Sequence, residues 1–338
     1  MTAEGASTTT IIGALREALA TEMEADERVF VMGEDVGIGG SFHLTLGLRD
    51  RFGPERVRDT PNAEAGFVGL GVGAAIGGMR PVIDFQYGDF LLCAADQLIQ
   101  QACKMRFMSG GQVRVPLVLH APTGASGRGA QHANSIENYF FGIPGLTLGV
   151  PSTPGDAKGM MTAAIRHPDP VLLCSHKHLY GTKGRVVEAD AIGEVAAGTY
   201  LTAVGKAAIR RPGHDLTIVG ALLMAHRAVQ AADELAKDGI DAEVIDLRWL
   251  SPLDTATVVE SVQRTGRLLI VQEGSPRGGW SATVAAVVAD QALDSLDAPV
   301  KRLTGPDVPV PFAPHLETMH VPTTARIVDE ARRLVGAR

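Results

Sequence analysis

Hydrophobic runs of strand length alternate with helix-period stretches along most of this chain, and that alternation restricts its fold more than any other feature. A strand that returns parallel to its predecessor needs a long crossover, usually a helix, so the pattern predicts an α/β architecture with parallel-rich sheets flanked by helices. The second half shows it most clearly. Segments 216–220 (LTIVG), 242–247 (AEVIDL), 268–272 (LLIVQ) and 300–303 read as strands, with helices expected near 223–237, 254–264, 279–293 and 324–335. In the first half a helix over 9–24 precedes a strand at 29–32 and the glycine-rich loop GEDVGIGGS. Further strands fit 81–85, 115–121, 146–150 and 171–174, and Asp89 stands where it can cap a helix running to Met108 and stopping at Ser109-Gly110-Gly111.

Single hydrophobic cores stop growing near ~250–300 residues, so a chain of 338 predicts two domains. They are expected at 1–190 and 213–338, joined by a linker at 191–212, because the stretch 181–212 has no long helical period and is rich in glycine and charge. Hydrophobic residues at 45% and charged ones at 20% are the balance of a chain that buries a core. The formal charge is -7 and no long basic run occurs, which argues against a nucleic-acid partner. The opening MTAEGASTTT has neither a basic nor an apolar signal region. The longest apolar run, 65–79, falls short of the ~18–20 residues of a membrane span and is bracketed by Glu64 and Arg80, so a buried helix is expected and no membrane association. Cys93, Cys103 and Cys174 form no C-x-x-C pair and read as reduced core residues of a cytoplasmic protein.

Several residues carry possible chemistry. The glycines between Gly66 and Gly78 follow the polar RVRDTPNAE rather than a hydrophobic strand, so they read as small residues allowing close helix packing and not as a dinucleotide fingerprint. Glu64 stands at the start of that helix, where Thr60-Pro61-Asn62 supplies a cap candidate and a proline suited to a first turn. It is either a first-turn acid favouring the helix dipole or a carboxylate set beside an apolar helix for chemistry. His132 lies in a loop of small residues, PTGASGRGAQH, where both a site and a solvated histidine are ordinary. His176 and His178 flank Lys177 without an evident third ligand, and read as a surface loop rather than a metal site.

The run DTPNAEAGFVGLGVGAAIGGMRPVIDF, the segment from Ala95 through Lys104 to Gly111, and then Gln131-His132, Pro144-Gly145-Leu146 and Asp156-Ala157-Lys158-Gly159 together resemble the beta subunit of thiamine diphosphate-dependent 2-oxo acid dehydrogenases. Val244 to Arg248, Leu250 to Asp254, Thr265-Gly266-Arg267 and Thr304 to Asp307 extend the resemblance through the second half. It implies a transketolase-like pyrimidine-binding domain followed by a transketolase C-terminal domain. By position, Glu64 is similar to the glutamate that hydrogen-bonds a ring nitrogen of the cofactor's aminopyrimidine and so promotes loss of the thiazolium proton. Phe90 matches the aromatic residue packed on the pyrimidine. His132 matches the histidine near the reacting carbon, whose pKa near neutrality suits proton handling as lipoamide is acylated. The resemblance also implies a structural potassium ion on carbonyls of Ala164, Ile165 and Asp169, although His167 stands where an aspartate is usual.

One absence has equal weight. The Gly-Asp-Gly motif that opens the magnesium and diphosphate site of such enzymes does not occur in this chain. The family places it on a separate alpha subunit, which implies two alpha and two beta chains with thiamine diphosphate and Mg between them, passing an acyl group to the lipoyl domain of a dihydrolipoamide acyltransferase core. Branched-chain relatives tend to show Leu-Tyr-His-Ser-Gln at the histidine, and pyruvate- and acetoin-using ones Ala-Gln-His-Ser-Gln. Ala130-Gln131-His132-Ala133-Asn134 leans to a small 2-oxo acid or acetoin, departing after the histidine. The alternatives are a split transketolase-like enzyme that does not use lipoamide and a non-catalytic scaffold subunit. The retention of both Glu64 and His132 disfavours the scaffold.

Overall fold

The computed structural model describes residues 7–180 and 191–336, which divide into two compact units. The first comprises residues up to Thr123 together with Gly142–Val204; the second comprises Gly124–Phe141 together with Gly205 onward. The glycine-rich loop that bears His132 thus groups with the second half of the chain and not with its sequence neighbours.

The strands of the first unit are β1 (Ser7–Thr10), β2 (Val29–Gly33), β3 (Val57–Asp59), β4 (Arg80–Asp84), β5 (Val118–Thr123), β6 (Thr147–Gly149), β7 (Val171–His176) and β8 (Ile192–Val195). Within its main sheet the order is β6-β7-β5-β4-β2-β3, every pairing parallel. Strands β2, β5 and β7 are buried at every residue, as parallel strands covered on both faces require, which is why they read as unbroken hydrophobic runs. Helix α1 (Ile11–Ala25) presents Ile11, Leu15, Leu19 and Met23 on one face with no exposure, each worth roughly 1.5–3 kcal/mol of burial. Helices α2 (Leu48–Phe52), α3 (Glu64–Ile76), α4 (Cys103–Met108), α5 (Glu137–Phe140, in the second unit) and α6 (Pro154–Arg166) follow. Ion pairs Glu22–Arg166 and Glu17–Lys158, each at 2.8 Å, join α1 to α6.

The second unit carries β9 (Ala208–Arg211), α7 (Leu223–Lys237), β10 (Leu216–Gly220), β11 (Ala242–Asp246), the short β12 (Trp249–Ser251), α8 (Thr255–Thr265), β13 (Leu268–Val271), α9 (Gly279–Gln291), β14 (Lys301–Leu303), α10 (Pro314–His320) and α11 (Thr324–Gly336). Its sheet runs β14-β13-β10-β11-β9, parallel except for β9 at the edge. No described helix is long and apolar enough to cross a membrane.

Several local expectations change. Residues 181–190 of the expected linker stretch lie outside the described residues, and 191–212 holds two strands: β8 pairs antiparallel with β1, and β9 pairs antiparallel with β11. The helix expected from Asp89 to Met108 is a 3-10 segment (Gly88–Ala94), a π-helical segment (Gln97–Ala102) and α4 in succession, and the Asp89 side chain caps none of them. Helix α3 has Ala63 at its N-cap with no side-chain cap, so the Thr60-Pro61-Asn62 cap does not form. It is buried on one face only. Phe67, Val68 and Val72 point inward, whereas Leu70 is 57% exposed in this chain because the apolar residues encircle the helix. Cys93 is exposed, while Cys103 and Cys174 are core residues as expected.

Candidate functional site

In open α/β sheets, side chains gather beyond the carboxyl ends of the strands, and the first unit follows that rule. Gly33 ends β2 in register with Asp84 at the end of β4. A Cβ on Gly33 would stand 2.2 Å from the Asp84 carbonyl oxygen, so only glycine allows the two strand ends this approach. The next residue, Glu34, is buried, and its Oε1 has no hydrogen-bond partner. Burial first, and then the charges of Glu64 and Asp35, raise its carboxyl above the ordinary glutamate range. Glu64 opens α3 and is partly buried, with its carboxylate close enough for that electrostatic effect. Phe90 stands in the 3-10 segment after β4, its ring edge-on to Tyr87 at 5.9 Å. Tyr87 in turn meets Phe42 edge-on at 5.4 Å.

Deeper at the same strand ends lies a buried polar chain that the sequence did not announce. His120 Nδ1 is 2.7 Å from Asp84 Oδ1, His120 Nε2 is 2.7 Å from Ser175 Oγ, and Ser175 Oγ is 2.5 Å from the Tyr180 hydroxyl. All four side chains are buried, and burial raises the Tyr180 phenol well above its usual value. His176 and Lys177, expected on a surface loop, are buried because β7 runs on to His176 and the Lys177 ammonium lies 5.5 Å from the Tyr87 ring centre. The His176 and His178 rings stack at 5.7 Å, and among the described residues no group of three or more His, Cys, Asp or Glu could hold a metal ion.

The carbonyls considered for potassium are also accounted for in part. Arg80 Nη1 donates to the Ile165 carbonyl at 2.7 Å and to the His167 carbonyl at 3.4 Å, and the Asp169 carboxylate pairs with Arg106. A guanidinium thus already supplies positive charge at this turn.

In the second unit, the Gly124–Phe141 segment carries His132, which is partly buried and donates its backbone N–H to the Gly129 carbonyl at 3.1 Å. A cavity of about 710 Å³ adjoins the loop, lined by Ala130, Asn134, Glu273, Arg277, Asp307 and His320. Burial lowers the proton affinity of His320, with Glu273 and Glu317 pulling the other way. Glu64 and Phe90 therefore sit in one unit and His132 in the other. The residues missed at the sequence level are Glu34 and the Asp84–His120–Ser175 chain. Glu34 had a usable signal, since it directly follows the hydrophobic strand VFVMG.

The pattern described as "Transketolase, pyrimidine binding domain" matches residues 7–183, and that described as "Transketolase, C-terminal domain" matches residues 205–327. The chain is 46% identical to the 2-oxoisovalerate dehydrogenase subunit beta of Bacillus subtilis, covering 90% of this chain and 92% of the relative. It is 44% identical to the mitochondrial pyruvate dehydrogenase E1 component subunit beta-1 of Arabidopsis thaliana (98% and 90%) and 43% identical to the acetoin:2,6-dichlorophenolindophenol oxidoreductase subunit beta of Cupriavidus necator (95% and 95%). Among solved structures, one described as a split gene transketolase, inactive beta4 tetramer, superposes with a TM-score of 0.76 at 22% identity, over 97% of this chain and 98% of that one, a likeness of fold.

Proposed function

Since the chain belongs to the beta subunits of pyruvate, branched-chain 2-oxo acid and acetoin dehydrogenases, built from transketolase pyrimidine-binding and C-terminal domains, we propose that it works with a separate alpha subunit as a thiamine diphosphate-dependent decarboxylating component. The observation that carries this reading is Glu64 at the head of α3, close enough to act electrostatically on Glu34, the buried carboxyl that follows the carboxyl end of β2. The residues fit the pyrimidine end of the cofactor: an unpartnered buried Glu34 oxygen, a partly buried Glu64 and the Phe90 ring.

When bound, thiamine diphosphate would supply the carbon nucleophile that attacks the oxo carbon of the substrate. Glu64 would hold a proton at a ring nitrogen of the aminopyrimidine, and Phe90 would pack against that ring. His132 would give and accept a proton during acyl transfer to the lipoyl domain. The diphosphate and Mg belong to the alpha subunit in this reading, because the sequence offers no Gly-Asp-Gly. The assembly we propose is two alpha and two beta chains on an acyltransferase core. A potassium ion at Ala164, Ile165 and Asp169 would have to share the Ile165 carbonyl with Arg80, and no step rests on it.

The substrate we propose is a small 2-oxo acid or acetoin, from Ala130-Gln131-His132. The relatives divide among pyruvate, 2-oxoisovalerate and acetoin at 43–46% identity, so their names do not rank these substrates. Cys93, Cys103 and Cys174, none of them in a disulfide, are in keeping with a reducing compartment such as the cytoplasm. Reconstitution with an alpha partner tests the whole reading: 2-oxo acid-dependent reduction of an artificial acceptor and acylation of a lipoyl domain are expected. Sugar transfer without lipoyl acylation would sink it.

A further inference from the structure

The loop that bears His132 is tied at its ends and held from outside by two carboxylates. Gly124 N–H donates to the Asn134 carbonyl at 3.0 Å, closing the loop, and Asn134 Nδ2 donates to the Ala130 carbonyl at 2.7 Å. Inside that closure Ala125 N–H donates to Glu273 Oε1 at 2.6 Å, while Gly127 N–H donates to both oxygens of Glu317, at 2.7 and 3.0 Å. Gly124, Gly127 and Gly129 have φ of +85°, +72° and +75°, conformations glycine adopts freely but at a high entropic cost when fixed. Such a segment does not stay ordered on its own backbone. Phe312 closes the third side: a Cβ on Gly129 would lie 3.3 Å from the Phe312 side chain.

Glu273 follows β13 and is buried, while Glu317 lies on α10, of which His320 is the buried residue. A carboxylate accepting a backbone N–H is among the stronger protein hydrogen bonds, and at Gly127 the one N–H is shared between both Glu317 oxygens.

We propose that Glu317, seconded by Glu273, is a positioning residue for His132, ordering the loop from Gly124 to Asn134 so that the imidazole is presented for proton transfer. This rests on the role given to His132 above. The Glu317 carboxylate accepts from the loop backbone at Gly127. It acts before chemistry, by keeping the loop in one arrangement.

The test uses the full chain reconstituted with its alpha partner and the variants Glu317→Ala, Glu317→Gln and His132→Ala. Hydrogen exchange of the 124–134 peptide should quicken about ten- to a hundredfold in Glu317→Ala, the loss of one charge-assisted hydrogen bond, and less in Glu317→Gln, which keeps a neutral acceptor. Acylation of a lipoyl domain should slow in the same order, while decarboxylation with an artificial acceptor and exchange elsewhere in the chain stay as in the parent. Unchanged loop exchange overturns the proposal. Faster exchange with normal acylation overturns it too, provided His132→Ala is slowed. Normal acylation in His132→Ala instead overturns the functional reading and takes the positioning role with it, and the exchange data then report loop order alone.

Discussion

His120 Nδ1 and Asp84 Oδ1 are 2.7 Å apart with both side chains buried, and the other imidazole nitrogen is spent on Ser175 at the same distance. Each group satisfies the next, so removing one leaves the others stranded in a dry interior. His120→Leu should therefore lower unfolding free energy by about 1–3 kcal/mol, more if Asp84 stays ionised. Asp84→Leu/His120→Leu together should recover part of the loss. Urea denaturation of both variants measures this, and a double variant less stable than the single would contradict it.

Glu64→Gln keeps size and removes the carboxylate from the head of α3. Turnover of the reconstituted enzyme should fall ~10²–10⁴-fold, the usual span of acid-base help, with the circular dichroism spectrum unchanged. Proton exchange at the reactive thiazolium carbon should slow in parallel. If exchange keeps its rate, Glu64 is no more than a helix-terminal acid.

His132→Ala should separate the two half-reactions. Decarboxylation coupled to a small artificial acceptor should persist, and acyl transfer to a lipoyl domain should slow markedly, because only that step calls on His132 to give and accept a proton. Stopped-flow measurement on one preparation decides it. Equal loss in both would put His132 in substrate binding.

Glu34 gives a pH signature. Its folded pKa is raised by burial and by Glu64 and Asp35, so the folded chain holds this proton after the unfolded chain has released it. The folded state binds more protons in that window, and stability falls as pH rises from the ordinary glutamate pKa through the raised one. Below the window the contribution is fully present; above it the buried charge is a standing cost. Glu34→Gln should thus melt higher than the parent at neutral pH and level with it in acid. A difference that is the same at both pH values would refute the assignment.

The isolated chain should bind thiamine diphosphate poorly even with magnesium, since the sequence has no Gly-Asp-Gly to hold the diphosphate. Titration calorimetry on this chain and on the reconstituted pair compares the two. Tight binding by the lone chain would show that it carries a complete site.

What the sequence determined by itself was whatever local pattern can encode. Strands buried on both faces must be continuously hydrophobic, so β10, β11 and β13 were legible as LTIVG, AEVID and LLIV, and the faces of α7, α8 and α11 followed from their helical period. Glu64, Phe90 and His132 could be singled out as candidates because they sit in contiguous motifs. The rest depended on distance along the chain. Asp84, His120 and Ser175 are separated by 36 and 55 residues, and they meet because the sheet order places β4, β5 and β7 side by side, with Asp84 in register with His120. The Gly127–Glu317 contact spans 190 residues and joins a loop to a helix that no short-range rule connects. Buried polar groups must find partners wherever the packed chain brings them, and that choice exists only once the chain has folded.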